Sequence, residues 1–174
     1  LIIDRVYDIY DFYTDLKKEE LNETIKIVKD THNIACSYAR FEYYLILYMD
    51  AIINQKEVDT ALYKGIIELG KNNFSVRELS IYYDIMALEK IYSNEIKEAL
   101  GYLDKALSNK GNHLMINYHY CSIYLDLGYF NLAQQYIHKS LKMAVQQLSF
   151  DRLYYLLLNQ GVLYMYTCRY DEAN

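Results

Sequence analysis

The strongest constraint on the fold is a pattern that the chain repeats in its last third. Tyr124, Gly128, Phe130 and Ala133 are followed by Gly161, Tyr164, Tyr170 and Ala173. In both copies an apolar segment of helical length reaches a Tyr, breaks briefly, and restarts with an aromatic three residues before an Ala. Small residues keep a similar phase upstream. Ala61, Ala99, Ala133 and Ala173 are separated by 38, 34 and 40 residues, and Ala87, Cys121 and Gly161 stand twelve positions before the last three of them. Such a period suits two helices and their turns, and a small side chain is wanted wherever two helix axes approach closely. Thr24, 37 residues before Ala61, marks a degenerate first copy.

Composition agrees with helices throughout. The 174 residues include no Pro, which would break helix interiors, and only six Gly, with no Gly/Ser-rich linker. Hydrophobic residues make up 53%, enough for one domain with a real core, and 22 are Tyr. Cys36, Cys121 and Cys168 are odd in number and far apart, so a reducing, cytoplasmic setting is expected and Cys121 reads as a small core residue. No apolar run approaches the roughly 20 residues that span a bilayer. The net charge is −5, and the acidic excess lies in residues 1–87, with 10 Lys/Arg against 15 Asp/Glu. That sign opposes binding to a phosphate backbone. The chain starts at Leu1 and stops at Asn174 just as a helix is due, so it reads as a piece of a longer protein.

Periodicity predicts helices over residues 1–16, 20–31, 34–54, 57–69, 75–92, 95–107, 113–127, 130–147 and 153–167, with a turn at Lys110, Gly111 and Asn112. The clearest start is at Ser75, which can accept from the Glu78 N–H while Glu78 reaches back and Phe74 packs on Leu79. Gly65 to Lys71 formally spells a phosphate-binding loop. A helix precedes it and Asn72 follows the Lys, so that reading fails and Gly70 is taken as a helix stop. Asp4, Asp8, Asp11 and Asp15 line one face of the first helix, either as a solvated face or as a docking strip for a basic neighbour.

These motifs resemble the tetratricopeptide repeat over nearly the whole chain. The resemblance implies a single all-α domain, a right-handed α-solenoid of about five helix pairs with the last truncated: residues 1–33, 34–72, 73–111, 112–149 and 150–174. There are departures. Asn117 and Leu157 stand where the family prefers Trp, Met49 replaces a small residue, and no repeat ends in Pro. The long, Pro-free, Tyr-rich repeats further resemble the sensor domains of the RRNPP peptide-pheromone regulators of Gram-positive bacteria. There a helix-turn-helix domain precedes the repeats and a short peptide binds their concave face.

The inward positions implied by the resemblance are Ile81, Asp84 and Leu88; Met115, Tyr118, Ser122 and Leu125; and Tyr155, Asn159, Val162 and Tyr166. Asp84, Tyr118, Ser122, Tyr155, Asn159 and Tyr166 are the candidate peptide contacts. An amide such as Asn159 can both donate to and accept from an extended backbone. Several of the Tyr serve equally well as packing between repeats. None of these positions is basic, which argues against the terminal-carboxylate clamp of the family's chaperone-tail binders.

No catalytic constellation is legible. His32, His113, His119 and His138 form no metal-ligand spacing, and His119 and Cys121 lie on different sides of a helix. No cofactor is implied and the chain is expected not to be an enzyme. The expected function is peptide or protein binding in the ligand-sensing part of a cytoplasmic transcription regulator, with homodimerisation open. A static scaffold for protein assembly is the alternative, and a non-catalytic flank of a larger enzyme a third reading.

Overall fold

The computed structural model describes residues 2–31, 39–110 and 113–168. Tyr170 and Ala173 lie outside these, as do His32, Cys36, the start of the helix expected from Ile34, and Gly111 and Asn112. The described residues form helices α1 (Ile2–Thr14), α2 (Lys18–Asp30), α3 (Arg40–Ile53), α4 (Ala61–Gly70), α5 (Val76–Tyr92), α6 (Ile96–Ser108), α7 (His113–Asp126), α8 (Phe130–Gln146) and α9 (Phe150–Tyr166), with no strand among them. None of these helices is long and apolar enough to cross a membrane. The helices pack as α1/α2, α3/α4, α5/α6 and α7/α8, with α9 against α8. The odd-numbered helices also touch in succession, α1 to α3, α3 to α5, α5 to α7 and α7 to α9, and α1 reaches α5 directly.

Three-residue turns join α1 to α2, α5 to α6, α7 to α8 and α8 to α9. The middle residue of each, Leu16, Asn94, Gly128 and Leu148, has a positive φ between 55° and 73°. The next N–H then bonds five residues back, as Lys17 does to Phe12 and Tyr129 to Tyr124, which satisfies carbonyls that the helix end leaves open. Gln55 plays the same part after α3. Of these, only Gly128 is a glycine.

α5 starts as its sequence predicts: Ser75 Oγ accepts from the Glu78 N–H at 3.2 Å and Glu78 Oε2 accepts from the Ser75 N–H at 2.7 Å. Two of the three pairs twelve residues apart lie within the described residues. Ala87 with Ala99, and Cys121 with Ala133, are fully buried in shared clusters. Burial pushes the Cys121 thiol up to about 12, as suits an inert core residue. Ala61 departs from the pattern: it is exposed at the first turn of α4 and makes no close helix approach. Gly70 does end α4, but with φ −111° rather than the left-handed conformation of a glycine stop. Its missing side chain makes room for Phe41, whose Cγ would lie 2.2 Å from a Cβ there.

Three tyrosines span helix contacts, each ring packing in the core while the hydroxyl finds a carboxylate. Tyr48 donates to Glu89 and Tyr82 to Glu68, at 2.8 and 2.9 Å, and Tyr120 donates to Asp104. Burial, then the neighbouring carboxylate, raises all three hydroxyl pKa values far above the ordinary range, so these groups stay protonated donors.

Candidate binding cleft between α7 and α9

α7 and α9 lie side by side, and the spacing 118, 122, 125 on one matches 155, 159, 162, 166 on the other, each a single helical face. Ser122, Leu125, Asp126, Gly128, Phe130, Asn159, Val162 and Tyr166 line a cleft of about 550 Å³. Three of the six candidate contacts, Ser122, Asn159 and Tyr166, therefore meet at one place. Asn159 sits at its floor, half-buried, with its amide N–H₂ 3.8 Å from the Cys121 sulfur. Phe130 and Tyr166 stack with ring centroids 5.6 Å apart and form one wall. Gly128 contributes no side chain, because the turn it occupies needs its positive φ of 73°.

Tyr155, one turn below Asn159, faces a second cleft of about 340 Å³ shared with Phe12, Tyr13, Leu16, Lys18, Leu21, Ile53 and Asn54. Tyr118 is half-buried beneath the Arg152 guanidinium, 4.8 Å from its ring centroid. Asp84 is fully buried. Its carboxylate accepts from Tyr10 Oη at 2.7 Å and meets His119 Nδ1 at 3.1 Å, while His119 Nε2 faces Tyr13 Oη at 3.3 Å. Ile81, Leu88 and Met115, which share the expected inward face, are buried as well.

The chain's own first helix explains this burial. α1 lies over α5 and α7, so the face expected to hold a ligand at Asp84 is occupied by Tyr10 and Tyr13. Arg152 of α9 completes the arrangement: its guanidinium donates to the carbonyl oxygens of Thr14, at 2.9 and 3.2 Å, and of Tyr13, at 3.3 Å. A cation thus closes the carbonyl end of α1, where the helix dipole favours positive charge. The aspartate stripe of α1 also finds partners inside the chain. Asp11 takes both its bonds from Arg77 at 2.9 Å, and Asp15 lies 3.5 Å from the Ser149 hydroxyl. Sequence reasoning missed Arg152; its only signal is that it is the one basic residue of α9.

Comparison with protein-family models, with curated proteins and with solved structures returned no match.

Proposed function

We propose that this chain is a non-catalytic helical-repeat domain that binds a peptide or an extended protein segment in the cleft between α7 and α9. The observation that carries the reading is the convergence of Ser122, Asn159 and Tyr166, three residues chosen from the repeat pattern alone, around one cleft of about 550 Å³. The cleft offers what an extended backbone requires: an amide and a hydroxyl for its N–H and C=O groups, and aromatic walls for alternate side chains. The succession of contacts between odd-numbered helices supports a tetratricopeptide-like solenoid as the frame. The further assignment, to the sensor part of a cytoplasmic transcription regulator, rests on the resemblance of the repeats to RRNPP sensor domains.

The test is a thermal-shift screen of the chain against pools of short peptides. Binding predicts a concentration-dependent rise in Tm of several degrees, abolished by Asn159→Ala in a variant that melts cooperatively on its own. Failure of every pool, alongside capture of a folded protein partner that Asn159→Ala leaves intact, would replace this reading with the static scaffold.

A further inference from the structure

Among the described residues, the α7–α9 cleft carries one charged lining residue, Asp126. It is exposed, and among the described residues no cation pairs with it. Four carboxylates that shape the fold are held by a cation instead. Asp11, Asp50, Glu68 and Glu89 each hold a Lys or Arg of the chain. Asp126 is also the last residue of α7, where the helix dipole disfavours an anion, and no basic residue stands in that last turn. α9 ends at the same cleft with Tyr166, while α8 begins there with Phe130, so two negative helix ends face one positive end. A position that works against its own helix, beside a cleft, is where local stability yields to binding.

The neighbours of Asp126 narrow the chemistry. Tyr166, stacked on Phe130, is 64% exposed. A carboxylate beside an aromatic face suits a planar cation, which can lie on the ring and give two parallel N–H bonds to the two oxygens. A guanidinium does both, whereas an ammonium offers a point charge without the flat face.

Resting on the peptide-binding reading above, we propose that Asp126 is the specificity-determining residue of the cleft and that the segment it accepts presents an arginine there. Asn159 and Ser122 hold the backbone, and the arginine side chain reaches the carboxylate along the Phe130–Tyr166 wall.

Two hexapeptide mixtures test this. They are identical in their apolar and aromatic positions, and one position holds arginine in the first and citrulline, its uncharged isostere, in the second. The arginine mixture should bind about fivefold more tightly, the scale of one exposed ion pair with an aromatic contact. Asp126→Asn should erase that preference, so that the arginine and citrulline mixtures bind the variant equally, and 0.5 M salt should shrink it in the unaltered chain. Equal binding of the two mixtures to the unaltered chain would overturn the assignment of Asp126 and leave the cleft reading standing. Binding of neither mixture would overturn both.

Discussion

Gly70 and Phe41 show how a single missing methyl group fixes a helix pair. α3 and α4 come together where the Phe41 ring lies across the Gly70 backbone, and any Cβ at that point overlaps the ring. Gly70→Ala is therefore expected to cost about 1–3 kcal/mol, the range for overpacking a tight site. Part of that should return in Gly70→Ala with Phe41→Leu, because the two residues share one contact. Urea denaturation of the three variants measures this. Additive costs would show that Gly70 serves some other end. Sequence alone suggested a left-handed stop, since glycines near helix ends usually are, and nothing local to residues 65–71 points to a ring 29 positions away. The Ser75–Glu78 box was legible for the opposite reason: both partners lie within four residues, and their chemistry admits one arrangement.

Among elements, α1 departs furthest from what a repeat pattern conveys. Its length and apolar face were readable from the spacing of Val6, Ile9 and Tyr13, but its position was not. Asp84 was expected to face a ligand and is instead fully buried; its partners Tyr10 and His119 are 74 and 35 residues distant and were invisible to a periodicity argument. Around the cleft the spacing conveyed more: Ser122 on α7 and Asn159 and Tyr166 on α9 line one pocket. The turns hid themselves in another way: Leu16, Gln55 and Leu148 adopt a conformation that sequence reading assigns to glycine. Arg152 joins α1 to α9, and its loss removes both bonds to the Thr14 carbonyl, while the Tyr13 carbonyl keeps the Leu16 N–H. Arg152→Ala should destabilise the chain by about 2–3 kcal/mol, the scale of a buried charge-assisted bond. Amide exchange should accelerate along α1 before it does so in α5 or α6. A cost below about 0.5 kcal/mol, typical of surface changes, would mean that α1 is held without it.

For the molecule as a whole, buried carboxylates held by lysines set the response to acid. Burial alone would raise the Asp50 carboxyl, but bonds from Lys29, Lys56 and Asn54 outweigh it and hold the group below its usual range. Glu89 is lowered in the same sense against burial by Lys64, Thr60 and Tyr48. The unfolded chain therefore takes up these protons first, and the stability they contribute is present above about pH 4 and lost as pH falls through the lower folded values. Urea midpoints measured from pH 6 down to 3 should decline below pH 4, and the gap between the unaltered chain and Asp50→Asn should close over the same interval. A gap that stays constant would place the acid response elsewhere.

The grip of Arg152 on Tyr13 and Thr14 also bears on how the chain reaches this state. An open array of repeats gains its contacts from neighbours close in sequence, so it can nucleate anywhere and grow outward. Here the first helix meets its last partner across 138 residues. That closure lengthens the average loop formed during folding and slows the final step. On the ribosome, at about 5–20 residues per second, α1 would wait roughly 7–28 seconds for α9 to be made. Tyr10 gains Asp84 after 74 residues and Tyr13 gains His119 after 106, so α1 is fastened in steps and Arg152 closes the clasp last.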